Sequence, residues 1–140
     1  MQGLPLLKPP YGRITAYDLS KGEILWQVAH GDTPDNIRNS PALKGLNVPR
    51  TGRTGQAGTL VTKTLVIAGE KGVATQENGQ RGAKLRAYDK LTGKDAGDVF
   101  IPAPQSGSPM TYMLNGKQYI VLAIAGNNYN AEYVAFRLPN

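Results

Sequence analysis

Residues 12–26 read GRITAYDLSKGEILW and residues 83–94 read AKLRAYDKLTGK, two copies of one pattern that decides the fold. A shorter third copy, EYVAFRL, spans residues 132–138. Each copy begins with the alternation of apolar and polar side chains that is typical of a β-strand. The three copies are therefore predicted to be equivalent strands in one repeated structure.

In the first two copies the strand ends at a Tyr-Asp pair, and a glycine follows four residues after the aspartate. Aspartate can accept hydrogen bonds from its own downstream backbone, and glycine supplies the positive φ that a tight hairpin requires. Asp18 and Asp89 are therefore interpreted as turn residues rather than as catalytic acids. The second strands of these two hairpins are predicted at residues 23–29 and 98–102.

Further strand pairs precede the second and third copies. Residues 59–64 and 65–69 form one pair, and residues 110–114 and 118–125 form the other. The dipeptide Asn115-Gly116 between two apolar runs is the strongest short-range signal for a hairpin. Residues 120–125 are apolar without interruption, which predicts a strand that is covered on both faces.

The spacing of the copies indicates a β-propeller. Ala16 and Ala87 are 71 residues apart, and Ala87 and Ala135 are 48 residues apart; the second interval matches the blade repeat of about 40–50 residues found in propellers. An irregular stretch at residues 31–58 lengthens the first interval, and a smaller polar insertion at 71–82 lengthens one turn. Within the irregular stretch only residues 35–46 are a candidate for a short helical turn.

Composition excludes several classes of function. The 140 residues include no cysteine, so no disulfide, thiol nucleophile or cysteine-bound metal is possible. The net charge of +6 comes from scattered lysines and arginines, which favours a solvated basic surface over a nucleic-acid site. No signal peptide is expected at the start of the sequence, and the longest apolar run is too short to span a membrane.

The repeat resembles that of dehydrogenases that depend on pyrroloquinoline quinone (PQQ), in which a tryptophan docks between adjacent blades. Residues 108–121, SPMTYMLNGKQYIV, are similar to the closing region of membrane-bound glucose dehydrogenases and related alcohol dehydrogenases. The resemblance implies an all-β fold, a C-terminal partial β-propeller with about two and a half four-stranded antiparallel blades of an eight-bladed ring. The repeat positions that carry it are Ala16, Asp18, Gly22 and Trp26, then Ala87, Asp89 and Gly93.

The same resemblance implies a division of the chain. Residues 1–30 would end one blade, 31–58 form a long loop, 59–102 form a complete blade, and 103–140 form a last blade without its outer strand. The second copy departs from the repeat because Gly97 stands where the docking tryptophan would be.

The resemblance also implies the cofactor PQQ, with Ca²⁺ in the complete enzyme. The catalytic base and most cofactor and metal ligands of such enzymes come from earlier blades, so no catalytic or metal-binding residue is predicted here. PQQ is not expected to bind tightly to this chain alone. Cofactor contacts are predicted at the start of an inner strand and after the last inner strand: Gln56, Ala57, Gly58, Thr59, Asn127 and Asn128.

Partners and location follow from the resemblance too. The partners would be the remaining propeller blades, or further copies of the chain, and a small sugar or alcohol as substrate in the periplasm. No nucleic acid and no membrane span is expected. Two rival interpretations stay open: a non-enzymatic scaffold with PQQ repeats that binds other proteins, and a small β-protein whose copies associate to cover their open sheet edges.

Three polar features have a competing structural interpretation. His30 is the only histidine, and a loop histidine with satisfied hydrogen bonds or with exposure to solvent is favoured over a ligand. The glycine-rich stretch 50–55 could hold an anion or could be a surface loop, and the sequence favours neither. For the similar stretch 78–82 a surface loop is favoured, because no helix follows it.

Overall fold

The computed structural model describes residues 3–126 and 128–137, and the regular secondary structure of this part of the chain consists almost entirely of antiparallel strands. One α-helical turn, α1 (Asp35–Arg38), and a 3₁₀ turn at Pro41–Leu43 interrupt them. The strands are β1 (Arg13–Asp18), β2 (Glu23–Ala29), β3 (Leu60–Val61), β4 (Leu65–Gly69), β5 (Ala74–Thr75), β6 (Arg81–Asp89), β7 (Asp95–Ile101), β8 (Met110–Leu114), β9 (Lys117–Gly126) and β10 (Tyr129–Arg137).

The strands form three sheets that follow one another along the chain. The first sheet is the hairpin of β1 and β2, and the third has the order β10-β9-β8. The central sheet has the order β3-β4-β6-β7, and the short strand β5 pairs with the beginning of β6. Successive antiparallel sheets of this kind, with no closed barrel, confirm the predicted partial β-propeller.

The first two repeats have the same backbone geometry. Asp18 accepts a hydrogen bond from the amide of Ser20 at 2.9 Å, and Asp89 accepts one from the amide of Thr92 at 2.8 Å. Gly22 and Gly93, which close the two turns, both have a φ of 71°. Each hairpin also has a register shift directly after the repeat alanine, Ala16 or Ala87.

The third sheet contains the hairpin that Asn115-Gly116 predicted. Both residues have positive φ, 50° and 73°, which gives the backbone twist favoured in two-residue hairpins. On β9, Leu122 and Ile124 are fully buried, whereas the alternate residues Val121, Ala123 and Ala125 are only half-buried. The apolar run is therefore covered completely on one face and partly on the other.

Two apolar clusters join the sheets. One lies between the central and third sheets and is formed by Ile67, Leu85, Ile101, Leu122, Ile124 and two alanines. The other lies between the first and central sheets and contains Trp26, Val66 and Tyr88. Alternation along β4 explains this arrangement, because Val66 and Ile67 point to opposite faces of the central sheet.

Trp26 connects the first sheet to the turn that ends β6. Its indole nitrogen donates a hydrogen bond to the carbonyl oxygen of Lys90 at 3.0 Å. Its ring lies on Gly93, where an added Cβ would come within 2.6 Å of the ring carbon Cε3. The absence of a side chain at Gly93 is therefore what allows the indole to lie against this turn.

Strand boundaries differ from the sequence predictions by three residues in three places, and by one or two residues elsewhere. The strand predicted at 59–64 is only Leu60–Val61, because the Thr62 hydroxyl bonds to the backbone of Leu65 and turns the chain. The strand predicted to begin at residue 98 begins at Asp95, and the one predicted to begin at 132 begins at Tyr129. The candidate helical turn within 35–46 is present as α1 and the 3₁₀ turn.

We expect Trp26→Ala to destabilise the chain by about 3–5 kcal/mol, because it removes a large buried side chain. Trp26→Phe keeps a ring but loses the bond to Lys90, so it should retain part of that stability. Urea unfolding followed by far-ultraviolet circular dichroism measures both changes. Leu19→Ala is the control; Leu19 is 92% exposed in the first turn, and its truncation should change stability by less than about 0.5 kcal/mol. Equal losses of stability in Trp26→Ala and Leu19→Ala would contradict the role of Trp26 in joining the first and central sheets.

Candidate cofactor-binding site

Residues 51–53 of the long loop run beside the end of the first sheet. The Thr51 carbonyl accepts a hydrogen bond from the amide of Tyr11 at 2.7 Å, and the amide of Arg53 donates to the carbonyl of His30 at 2.8 Å. The amide of His30 in turn donates to the carbonyl of Gly12 at 2.9 Å. These bonds fix the backbone of Arg53 and direct its side chain between the first and central sheets.

The Arg53 guanidinium has buried nitrogen atoms without a partner. Its Nε and Nη2 atoms are inaccessible to solvent and make no hydrogen bond. Arg53 as a whole is half-buried, but a buried donor without a partner is unfavourable, so such nitrogens normally find an acceptor. A carboxylate fits best, because a guanidinium can donate two parallel hydrogen bonds to its two oxygens.

Glycines make room for this arginine. A Cβ at Gly12 or at Gly52 would collide with neighbouring backbone, Arg53 and Gly12 respectively. A Cβ at Gly72 would come within 2.5 Å of Cδ of Arg53, and one at Gly31 within 3.1 Å of its Cβ. The segments that flank the first sheet, and the turn that follows β4, therefore approach Arg53 through glycines that have no side chain.

A small polar cavity of about 50 Å³ lies beside Arg53. Its walls include Arg13, His30, Ala57 and Thr59. This volume accommodates a carboxylate group or a water molecule. It is far too small for a whole tricyclic quinone, so only one edge of such a cofactor could enter it.

The predicted cofactor contacts are only partly brought together. Ala57 and Thr59 line the cavity beside Arg53, whereas Gln56 is exposed and is not among the lining residues. Gly58 packs on Ser108, and its carbonyl accepts a hydrogen bond from Gln105 at 2.9 Å. Asn128 is exposed in the turn between β9 and β10, with a φ of 66°. Asn127 lies outside the described residues.

His30 is buried and both of its ring nitrogens have partners. Nε2 lies 3.2 Å from the carbonyl oxygen of Gly69, and Nδ1 lies 2.9 Å from the hydroxyl of Tyr88. A carbonyl oxygen only accepts, so Nε2 carries the proton, and the Tyr88 hydroxyl donates to Nδ1. Burial lowers the pKa of His30 below its ordinary value, and the positive charges of Arg86 and Arg50 add to this effect. The histidine is therefore neutral and holds the two sheets together.

A buried ion cluster lies at the same junction and was not identified from the sequence. Arg86 donates through Nε to Glu70 at 2.7 Å, through Nη2 to Asp32, and through Nη1 to Asp98 at 3.3 Å. Glu70 is fully buried, and burial raises the pKa of its carboxyl despite the nearby guanidinium. The signal for Arg86 was its polar position on an otherwise apolar strand, but its partners are distant in sequence.

Metal-binding side chains are not clustered in residues 3–126 and 128–137. This part of the chain has no group of three or more His, Cys, Asp or Glu side chains arranged to hold a metal ion. It also contains no helix that is long and apolar enough to cross a membrane.

The repeated antiparallel sheets, joined by a docked tryptophan, define a segment of a β-propeller. The family model for the PQQ glucose/ethanol/alcohol dehydrogenase β-propeller domain matches residues 1–120. The chain therefore belongs to this family of quinoprotein dehydrogenases, as the resemblance in the sequence predicted.

Curated relatives agree with the family. The chain is 34% identical to the quinoprotein glucose dehydrogenase of Escherichia coli (strain K12), over 99% of this chain and 17% of that protein. It is 32% identical to quinoprotein glucose dehydrogenase A of Acinetobacter calcoaceticus, over 99% of this chain and 16% of that protein. It is 33% identical to a probable quinate dehydrogenase (quinone) of Xanthomonas campestris pv. juglandis, over 99% and 17%.

The chain thus spans about one-sixth of the length of these curated relatives. No solved structure was found to match it.

We expect the pH dependence of stability to reveal the buried neutral histidine. Between the lowered pKa of His30 in the folded chain and its ordinary value of 6.5, the unfolded chain binds more protons. The contribution of His30 to stability is therefore fully present above pH 6.5 and is lost as the pH falls through the folded-state pKa. Urea midpoints of the wild type and of His30→Asn should differ more at pH 7.5 than at pH 5.

Comparing the wild type with His30→Asn isolates the contribution of the histidine to the pH dependence of stability. The opposite slope from Glu70, whose raised pKa reduces stability as the pH rises, is present in both proteins and cancels in the difference. If the two urea midpoints differ by the same amount at both pH values, His30 does not take up a proton when the chain unfolds, and the prediction is wrong.

Proposed function

We propose that the chain is the C-terminal segment of a PQQ-dependent dehydrogenase that oxidises a sugar or an alcohol. In that enzyme the segment supplies blade packing and one wall of the cofactor funnel. The observation that supports this most is that two guanidinium nitrogens of Arg53, Nε and Nη2, are buried without a partner among the described residues, beside two predicted cofactor contacts, Ala57 and Thr59.

PQQ supplies the redox chemistry when it is bound, because its quinone accepts the electrons of the substrate. In this proposal Arg53 binds one of the cofactor's carboxylates, and the small cavity excludes water from that ion pair. Ala57 and Thr59 pack against the same edge of the cofactor. The network of His30, Tyr88 and Gly69 keeps the first and central sheets at a fixed separation behind the arginine.

The rest of the site would come from outside the chain. We place the general base, the Ca²⁺ ligands and the other cofactor contacts on further blades, so that the chain alone has little or no activity. The outer sheets expose apolar side chains suited to such neighbours, namely Ile24 and Leu25 on β2, and Met113 and Leu114 on β8. Remaining blades of a parent protein, or further copies of the chain, would cover these surfaces, in the periplasm.

A protein-binding scaffold built from PQQ repeats is the second candidate. The exposed apolar side chains on the outer sheets favour it as much as they favour further blades. A scaffold has no need of an arginine with two buried nitrogens that no described residue pairs, which is why we prefer the dehydrogenase.

Equilibrium dialysis with PQQ, read by quinone absorbance, tests the proposal. Binding to the wild-type chain should be weak, because only one edge of the cofactor is held. Arg53→Leu should weaken it about 10-fold or more, the loss expected when a charge-assisted hydrogen bond is removed. Arg81→Leu is the matched control, since Arg81 is exposed and pairs with Asp35 at 3.2 Å, away from the cavity beside Arg53.

Size-exclusion chromatography with light scattering should accompany the dialysis, to give the oligomeric state in which PQQ binds. The dehydrogenase proposal is contradicted if PQQ does not bind, or if Arg53→Leu and Arg81→Leu bind it as well as the wild type. In that case the scaffold candidate stands.

A further inference from the structure

Gly97 occupies the position of Trp26 in the second repeat. In the first hairpin Trp26 pairs with Ala16, and in the second Gly97 pairs with Ala87. In both hairpins the register shift follows directly after this pair. The two residues are therefore structurally equivalent, and one has an indole where the other has no side chain.

The indole of Trp26 fills the junction between the first and central sheets. It is only 9% exposed and packs with Val66 and Tyr88. One hydrogen bond, to the carbonyl of Lys90, satisfies its single polar atom. The junction between two blades of this protein thus accepts a flat, neutral, bicyclic aromatic ring.

The equivalent junction between the central and third sheets is open. A cleft of about 390 Å³ lies beside Gly97, and a Cβ added to Gly97 would meet no atom within 4 Å. The walls of the cleft are mainly apolar and come from both sheets: Leu65, Ile67 and Leu85 from the central sheet, Ile120 and Phe136 from the third. This volume lies within the range of small-molecule binding pockets, about 300–1,000 Å³.

We propose that this cleft is a binding site for a small, neutral, planar aromatic molecule of the size of indole. Apolar walls on both sides favour burial of a ring, as they do for the indole of Trp26. A charged ligand would lose its hydration against these apolar walls, and the charged residues Asp98 and Arg137 only border the cleft. Arg86, which borders the cleft, already binds three carboxylates, from Asp32, Glu70 and Asp98.

The site is separate from the proposed cofactor site. Ile67 and Leu85 face the third sheet, whereas Val66 and Tyr88 face the first sheet and the region of His30. The cleft and Arg53 therefore lie on opposite faces of the central sheet, and the aromatic site does not depend on PQQ binding.

Fluorine NMR of 5-fluoroindole titrated with the full 140-residue chain tests the proposal. We expect a dissociation constant of about 0.1–1 mM, as befits so small a ligand. Gly97→Trp should place a ring in the cleft from β7 and weaken binding at least about 10-fold. Val61→Trp is the matched control, because Val61 is 58% exposed on β3 and does not line the cleft; it should bind fluoroindole like the wild type.

A second variant, Ala87→Leu, keeps the test valid if Gly97→Trp does not fold. The φ of Gly97 is 136°, which strains any other residue, so circular dichroism must show that Gly97→Trp is folded. Ala87→Leu narrows the same cleft from the neighbouring strand and should also weaken binding. Absence of fluoroindole binding to the wild type at millimolar concentration overturns the proposal, as does unchanged binding in a folded Gly97→Trp or Ala87→Leu.

Discussion

The contact of Trp26 with the turn that ends β6 determines how the first two sheets pack. A β-hairpin of two strands is marginally stable by itself and needs a partner surface. Trp26 provides this by burying its ring against Val66 and Tyr88 and by bonding to the carbonyl of Lys90. Because the ring lies flat on Gly93, the repeat requires both residues, one from each blade.

The contact between the tryptophan and this turn explains why the repeat has aspartate and glycine at fixed positions. Asp89 and Gly93 shape the turn through local hydrogen bonds and a left-handed backbone, and the turn then receives the tryptophan of the preceding blade. The local and the long-range roles are thus combined in one short motif. Where the motif is incomplete, at Gly97, the sheets still meet through Ile67, Leu85 and Ile124, but their junction keeps an open cleft.

The features that could be predicted from the sequence are those encoded locally. Strand alternation, the Asn115-Gly116 turn and the repeated Asp and Gly positions were enough to predict the hairpins and the propeller class. The strand expected to start at residue 98 instead starts at Asp95, because pairing with β6 extends the ladder back to Tyr88. Such boundaries depend on the partner strand and not on the segment's own pattern.

The candidate site was harder to predict because its contacts join distant parts of the chain. His30 and Tyr88 are 58 residues apart in sequence, and Arg86 and Asp32 are 54 apart. A sequence pattern shows that Arg86 is polar on an apolar strand, but not that three carboxylates surround it. The glycine-rich stretch around Arg53 is equally compatible, from sequence alone, with an anion site and with a surface loop, and only the structure shows that two of the arginine's nitrogens are buried without a partner.

The two arginines at this junction give the strongest argument about function. Arg86 and Arg53 are both placed where the first and central sheets meet, and both have nitrogen atoms hidden from solvent. Arg86 has Glu70, Asp32 and Asp98 as partners, so its charge is compensated within the chain. For Nε and Nη2 of Arg53 the described residues provide no acceptor. Arg86 is thus compensated within the chain, whereas two nitrogens of the half-buried Arg53 are not, and this contrast is what supports the proposal that Arg53 binds an external anion.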